Sequence, residues 1–176
     1  MLLGALYFNN NFNNLIQWNP SANGGLGNVE NVSTALARGI ESFVEYKPIS
    51  DLSLRANYTY DQTYGLYNPI SGIRSNDPLL LRPKNKGNFD IDYKFLPDMS
   101  AHLNILVVGS RNSFDVNSNI AQVPGYVLLN LSSNYEVNEN ITLFARMDNL
   151  LNKQYQQVWG YGALGFYGLG GVNVKF

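Results

Sequence analysis

Apolar and polar side chains alternate with a period of two along most of this chain. The clearest segment is 52–61, in which Leu52, Leu54, Ala56, Tyr58 and Tyr60 alternate with Ser53, Arg55, Asn57 and Thr59. A period of two predicts β-strands with one apolar and one polar face, whereas helices need a period near 3.6. We therefore predict strands and no helix, at about residues 2–18, 34–47, 52–61, 86–96, 100–111, 126–136, 141–150 and 166–176.

The predicted connections alternate in length. Long connections follow strands one, three, five and seven, and turns of about four residues follow strands two, four and six. Outer-membrane barrels place short turns at their periplasmic end and long loops at their external end. The predicted fold is therefore an all-β, antiparallel up-and-down transmembrane β-barrel, with residues 1–176 as a single domain. A soluble β-sandwich is the alternative, but it has no reason to put every long loop at one end.

The two faces of each strand have different expected surroundings. In a membrane barrel the apolar side chains face lipid and the polar ones line the lumen. The first strand should then turn Leu6, Phe8, Phe12, Ile16 and Trp18 outward. Arg38 shares the outward parity and is expected near the external rim. A lumen network of opposite charges is predicted from Glu41, Glu45, Arg55, Asp90, Asp92, Lys94, His102, Arg146, Asp148 and Lys175.

Large aromatic side chains lie near the predicted strand ends. Such rings favour the two membrane–water interfaces, so they are expected to form two aromatic belts. The belt residues are Trp18, Tyr46, Tyr60, Phe95, Tyr135 and Phe166. Rings in the long connections could instead contact an external ligand, since loops on rigid scaffolds often carry function. These candidates are Tyr64, Tyr67, Phe114, Tyr155, Trp159 and Tyr161.

Composition narrows the class of protein further. The net charge of −1 gives no basic surface for nucleic acid, so no nucleic-acid partner is expected. The absence of cysteine excludes a disulfide framework and thiolate metal sites. Mean hydropathy is −0.17, which alternating barrel strands can produce. The first residues lack a basic region and a cleavage site, so an exported form would have lost its leader or be part of a longer chain.

Two candidate sites carry weak chemical signals. The segment 115–119 begins like a calcium loop with Asp115, Asn117 and Asn119, but Ile120 and Tyr126 replace the expected Gly and Glu. His102 is the only histidine and shares its strand with Ser100, Asn104 and Ser110. Residues two apart on one strand lie roughly 6–7 Å apart, too far for a catalytic contact. We therefore expect no enzyme, no metal site and no cofactor, with an outer-membrane hydrolase as a minor alternative.

Several short motifs resemble landmarks of one family, in its order and near its spacing. They are Ala37-Arg-Gly-Ile-Glu41, Ala56-Asn-Tyr-Thr-Tyr60, Leu81-Arg-Pro-Lys84, Val108-Gly-Ser-Arg111, Pro124-Gly-Tyr126 and Asp148-Asn-Leu-Leu-Asn-Lys-Gln-Tyr155. Together they resemble the C-terminal third of a TonB-dependent outer-membrane receptor, with the cobalamin receptor branch most similar. The resemblance implies a Gram-negative outer-membrane protein that takes up cobalamin, iron chelates or similar ligands. The plug domain of that family has no counterpart in this chain, which is therefore not expected to transport actively alone.

The chain end also resembles the signal read by the barrel-assembly machinery, with Gly171, Val174 and Phe176 at the expected offsets. The implied partners are outer-membrane lipid, the assembly machinery and any missing receptor portions. The eight strands are expected to close as a small barrel, because an open arc leaves two unpaired edges in lipid. The alternative fold is an arc of a larger barrel completed by another chain. The alternative function is a self-contained structural barrel, natural or engineered, with no transport activity.

Overall fold

The computed structural model describes residues 1–19, 22–66, 78–117 and 119–176. Within these ranges one antiparallel eight-stranded sheet has the order β1-β2-β3-β4-β5-β8-β9-β12, a meander in which chain neighbours pair. Its strands are β1 Leu2–Asn19, β2 Asn28–Ile49, β3 Leu52–Leu66, β4 Asn85–Leu96, β5 Met99–Val108, β8 Tyr126–Asn138, β9 Ile141–Asp148 and β12 Tyr167–Val174. The predicted all-β antiparallel fold is confirmed.

Two of the long connections contain small hairpins. β6 Arg111–Phe114 pairs with β7 Ile120–Val123, and β10 Gln156–Val158 pairs with β11 Tyr161–Gly162. A turn over Ala22–Gly25 is helical by hydrogen bonding, but Asn23 has φ 53° and ψ 45°, so it is not a regular right-handed helix. In the described ranges no helix is long and apolar enough to cross a membrane.

The strand register separates the sheet into two chemically distinct faces. Ile91 of β4 stands opposite Leu54 of β3 and Leu103 of β5. Directly opposed residues of an antiparallel pair point to the same side, so these side chains form an apolar face. The next residue, Asp92, stands opposite Ser53 and His102 on the polar face. The predicted split into apolar and polar parities therefore holds from β2 to β12.

The first strand is the exception, and its predicted orientation is wrong. Leu6 stands opposite Glu41, and Phe8 stands opposite Gly39, so the apolar even positions of β1 lie on the polar face. Leu3, Ala5 and Tyr7, opposite Val44, Ser42 and Ile40, lie on the apolar face instead. Alternation within one strand defines two faces, but only pairing with the neighbour decides which face is which.

Several strand ends also differ from the predictions. β2 begins at Asn28, where about residue 34 was predicted, because its first residues pair with 15–19 of β1. β3 continues to Leu66 for the same reason, through pairs between its last residues and Thr34–Ala37. β5 ends at Val108, where residue 111 was predicted, and the chain then turns into the β6–β7 hairpin. Pairing with neighbouring strands sets these strand ends, so the local sequence could not predict them.

The predicted closure into an eight-stranded barrel is wrong. In the described part of the chain no ladder joins β1 to β12, and both strands are edges of an open sheet. The two edges also differ in length, since β1 has 18 residues and β12 has 8. A ladder between them would leave much of the β1 backbone without partners, which is costly in a membrane.

A small core forms on the polar face near the long connections. Val108, Tyr126 and Leu128 are buried there, with Leu106 and Tyr155 packed against them. Most other large apolar side chains are exposed, including Leu3, Tyr7, Ile40, Val127 and Val172 on the apolar face. An exposed apolar sheet face of this kind fits lipid rather than water.

Candidate functional site

The centre of the polar face holds a continuous chain of polar contacts across β3, β4, β5 and β8. Arg55 Nη2 lies 2.9 Å from Asp92 Oδ2, and Asp92 Oδ1 lies 2.7 Å from His102 Nδ1. His102 Nε2 lies 3.6 Å from Asp90 Oδ1, which accepts a hydrogen bond of 2.7 Å from Asn104 Nδ2. The side chains of Arg55 and Asp92 are 49% and 40% exposed, so their ion pair contributes little to stability.

Asparagines extend this chain of contacts towards a long connection. Asn130 Nδ2 donates to Asn104 Oδ1 at 3.0 Å, and Asn130 Oδ1 accepts the backbone N–H of Asn149 at 2.9 Å. Asn88 donates to Asp90 from the other side. The alternation places these amides at polar positions of the strands. They were not predicted as members of the network, because that prediction used ionisable side chains only. The contacts therefore join β8 and the connection after β9 to the charged part of the network.

The remaining predicted network residues do not join this chain. Arg146 Nε lies 3.0 Å from both carboxylate oxygens of Asp148, and Lys47 Nζ lies 3.5 Å from Glu45 Oε1. Glu41 lines a separate cavity, and Lys94 lines a shallow pocket beside Asp92 and His102. Lys175 bonds through its backbone to Asn140. The predicted single network is therefore divided into one chain of contacts, two local ion pairs and separate charges.

The Asp148–Tyr155 motif folds around one buried asparagine. Asn149 is 3% exposed and adopts φ 52°, a left-handed conformation that asparagine tolerates better than most residues. Its side chain donates to the carbonyls of Lys153 and Leu164 and accepts the N–H of Lys153 at 2.8 Å. Asn152 then accepts the N–H of Phe166 at 2.9 Å. These bonds fix the start and the end of the connection between β9 and β12.

A buried arginine joins the two small hairpins. Arg111 is 7% exposed, and its Nε and Nη2 donate to the carbonyls of Gln157 and Gln156, both at 2.9 Å. Its guanidinium lies 5.4 Å from the ring centroid of Tyr126, and that ring packs against Tyr155 at a centroid distance of 4.4 Å and a tilt of 43°. From the sequence, Arg111 belongs only to the Val108–Arg111 motif. Because Gln156 lies 45 residues away, only the tertiary structure identifies this clamp.

A cavity of about 760 Å³ lies on the polar face near the long connections. Its walls come from β1, β2 and β3, residues 79–82, the β6–β7 hairpin and Val158. Leu79 N–H donates to Thr63 Oγ1 at 3.2 Å, and Leu81 N–H donates to the carbonyl of Asn112 at 2.7 Å, so residues 79–82 are held over the sheet. This cavity was not predicted, because the first strand was expected to face the other way.

The residues predicted to form aromatic belts lie on different faces of the sheet. Tyr46, Tyr60 and Tyr135 lie on the apolar face, as their partners Leu54, Ile40 and Leu143 show. Phe95 and Phe166 are exposed beside the ends of β4 and β12. Trp18 instead lines the cavity on the polar face, which contradicts its place in an outward belt.

The predicted ligand-contact rings are dispersed. Phe114 lines the cavity, Tyr155 packs on Tyr126, and Tyr64 lies under the guanidinium of Arg38. Trp159 and Tyr161 are exposed on the β10–β11 hairpin. Tyr67 lies outside the described residues. Tyr155 and Trp159 line one pocket beside the β10–β11 hairpin, and Phe114 and Tyr64 lie elsewhere.

The two weak chemical candidates make local contacts only. Asp115 Oδ1 accepts the N–H groups of Asn117 and Asn119, both at 2.8 Å, and the bond from Asn119 is the main cause that lowers the pKa of Asp115. In the described ranges, no group of three or more acidic, histidine or cysteine side chains is arranged so that it could hold a metal ion. His102 contacts Asp90 and Asp92, and Asn104 donates to the same Asp90 oxygen rather than to His102. Among the described residues, His102 therefore has no direct hydrogen bond to Ser100 or Asn104.

Comparison with known proteins identifies the family. The β-barrel model of the TonB-dependent receptor-like family matches residues 2–150. The vitamin B12 transporter BtuB of Vibrio vulnificus (strain YJ016) is 27% identical over 178 residues, which cover 96% of this chain and 26% of that protein.

Solved structures share the fold. The siderophore receptor PiuA from Acinetobacter baumannii matches with a TM-score of 0.77 and 21% identity, over 99% of this chain and 26% of that one. The copper transporter OprC matches with a TM-score of 0.75 and 21% identity, over 99% of this chain and 28% of that one. The chain thus spans about a quarter of the length of these relatives. The resemblance seen in its motifs is confirmed, and the chain belongs to the TonB-dependent receptor β-barrel family, whose members lie in the outer membrane of Gram-negative bacteria.

Proposed function

We propose that this chain forms the last eight strands of the barrel of a ligand-importing receptor. The family match over residues 2–150 carries the proposal. The two unpaired edges, β1 and β12, support it, because further strands of one large barrel would satisfy both. The ligand would be cobalamin, an iron chelate or a similarly scarce compound. Active import would need a plug domain and contact with TonB, which residues 1–176 alone would not provide.

The connection between β9 and β12 and the two small hairpins would form part of the external surface of this receptor. The Asn149 and Arg111 contacts hold these segments in fixed positions over the polar face. A rigid external surface would keep the ordering cost of ligand binding low.

We further propose that Gly171, Val174 and Phe176 guide insertion by the barrel-assembly machinery. Phe176 is fully exposed beyond the last paired residue, and Val174 is half exposed on the free edge strand. An exposed apolar edge is suited to pairing with another strand. Deletion of Phe176 should lower the amount of protein in the outer membrane, whereas replacement of the exposed loop residue Val116 by Ser should not.

The proposal is tested by the size and the activity of the native protein. An antibody against residues 111–123 should detect an outer-membrane protein far larger than 19.7 kDa. Deleting the coding region for residues 1–176 should abolish growth on limiting cobalamin or on limiting iron chelate. A native band at 19.7 kDa, or growth unaffected on both nutrients, would contradict the proposal.

A further inference from the structure

The apolar face of the sheet changes to polar side chains along one row near the long connections. Direct partners in β1, β2 and β3 form the last row of apolar and aromatic side chains, Tyr7, Ile40 and Tyr60. In the next row on this face, Asn9 stands opposite Arg38, which stands opposite Gln62. The apolar band therefore ends at the same level in three strands, as expected at the boundary between lipid tails and headgroups.

Arg38 lies at the depth of the headgroups. It is the one charged residue among the outward positions of β2 between Leu36 and Tyr46. Its separation from Tyr46, beside the short turn, is about 26 Å along the strand at roughly 3.3 Å per residue. A strand tilt of roughly 40° reduces this height to about 20 Å, close to the apolar band of about 25 Å in such barrels. The long side chain carries the guanidinium further towards the long connections, to the ring of Tyr64.

A second cation lies beside this row. Lys84 Nζ is 5.2 Å from the ring centroid of Tyr60, and the Arg38 guanidinium is 5.7 Å from that of Tyr64. Arg38 Nε also donates to Gln62 Oε1 at 3.4 Å. Both cations are exposed, and among the described residues neither forms a salt bridge. Aromatic rings orient a cation without neutralising it, so both positive charges are available to an anion. We call this set the basic rim patch: Arg38, Lys84, Tyr60 and Tyr64.

We propose that the basic rim patch binds the phosphate-bearing headgroup of a lipid in the outer leaflet. The guanidinium fork of Arg38 fits a phosphate with paired donors, and the ammonium of Lys84 supplies a second charge. The acyl chains of the same lipid pack against Ile40 and the apolar face below it. A free phosphate makes no such apolar contact, so the surface favours a lipid. The inference goes beyond the proposed function, because it concerns the outer face of the barrel wall.

Native mass spectrometry of the whole protein, purified from outer membranes into detergent, measures this binding. The probe is diphosphoryl lipid A, and monophosphoryl lipid A, with one phosphate fewer on the same acyl chains, is the comparison. Arg38→Gln combined with Lys84→Gln should remove one tightly held diphosphoryl lipid A, whose affinity falls at least about tenfold. The same variant should bind the two probes more equally, because the second phosphate loses its partners.

Lys86→Gln combined with Lys94→Gln is the matched control. It removes the same charge from the polar face, where these lysines stand opposite Thr59 and Ser100. Its lipid A adducts should equal those of the unaltered protein. Arg38→Lys keeps the positive charge and should retain the adduct. Heat-modifiable gel migration shows whether each variant is folded.

A lipid A analogue with a diazirine on its headgroup locates the site on the unaltered protein in nanodiscs. Cross-linking should label Tyr64 and leave Tyr93, on the same face beside the short turns, unlabelled. Equal labelling of the two tyrosines, or of neither, would overturn the inference without any variant. So would full retention of the lipid A adducts by the folded Arg38 and Lys84 double variant, or an equal loss in the polar-face control.

Discussion

At the scale of single residues, close contacts between aromatic rings and glycine shape the polar face. A Cβ atom at Gly39 would lie 1.8 Å from the carbonyl oxygen of Tyr60 and 2.8 Å from Phe8 Cζ. A Cβ atom at Gly171 would lie 2.6 Å from Phe144 Cζ. In both pairs the ring lies on the cross-strand glycine. Gly171 therefore has a packing role in the folded sheet, besides its predicted place in an assembly signal.

Gly39→Ala should destabilise the sheet, because the new methyl group collides with backbone and the strands must shift. Overpacking with backbone shifts costs typically about 1–3 kcal/mol. Urea unfolding in detergent, followed by heat-modifiable gel migration, measures the loss of stability.

Gly168→Ala is the matched control for this substitution, since the nearest atom to its Cβ would be 3.6 Å away, an ordinary contact. It should leave the unfolding midpoint nearly unchanged. Equal midpoints for the two variants would show that the approach of Tyr60 to Gly39 does not constrain β2.

At the scale of elements, neighbouring strands and hairpins decide what each segment does. Strand β1 carries apolar residues at Leu3, Ala5 and Tyr7 as well as at Leu6 and Phe8, so its own pattern permits either orientation. Pairing with β2 selects the one that places Phe8 over Gly39. The β6–β7 and β10–β11 hairpins are likewise too short to be stable alone and are joined through Arg111.

Arg111→Met should release the β10–β11 hairpin, because two carbonyls lose a charged donor and the stack on Tyr126 is lost. Hydrogen bonds to charged groups contribute about 1.5–3 kcal/mol. Chymotrypsin should cleave faster at Trp159 and Tyr161, which are exposed on this hairpin.

Arg38→Met is the control, since Arg38 is exposed and contacts Tyr64 and Gln62 outside these hairpins. Its cleavage rate should equal that of the unaltered protein. An unchanged rate in Arg111→Met would rule out a clamping role for Arg111.

At the scale of the whole molecule, the open sheet determines how the chain can sit in a membrane. Its apolar face includes Ile40, Leu54, Ile91, Leu103 and Leu131. Its polar face holds the cavity and the contacts that Asp90 and Asp92 make with His102. One face therefore suits lipid and the other suits a lumen. The free edges of β1 and β12 need partners, and the family assignment makes further strands of one barrel the proposed partners.

Cysteine cross-linking can test whether β1 and β12 meet in the membrane. Residues 1–176 contain no native cysteine, so an introduced pair supplies the only thiols within this part of the protein. Leu3→Cys combined with Val44→Cys should form a disulfide on oxidation, because these residues are direct partners in β1 and β2. Leu3→Cys combined with cysteine at Gly168, Gly170 or Val172 should not.

Mass spectrometry of the oxidised protein in outer membranes distinguishes these pairs. The Leu3–Val44 pair is the positive control for oxidation. If that pair cross-links and the β1–β12 pairs do not, the two edge strands do not meet. Efficient cross-linking of β1 to β12 within one chain would restore the closed eight-stranded barrel and remove the need for further strands.

The sequence by itself determined the local features of this protein. Alternation identified the strands, the lengths of the connections indicated a membrane barrel, and the motifs at 37–41, 56–60 and 148–155 indicated the family. These signals are local because strand periodicity and turn length depend on adjacent residues. Only the tertiary structure decided the orientation of β1, the open edges, the Arg111 clamp and the cavity beside Asp61. Each of these depends on contacts between residues far apart in the chain. The alternation within a strand is the same whichever face of the sheet its apolar side chains join.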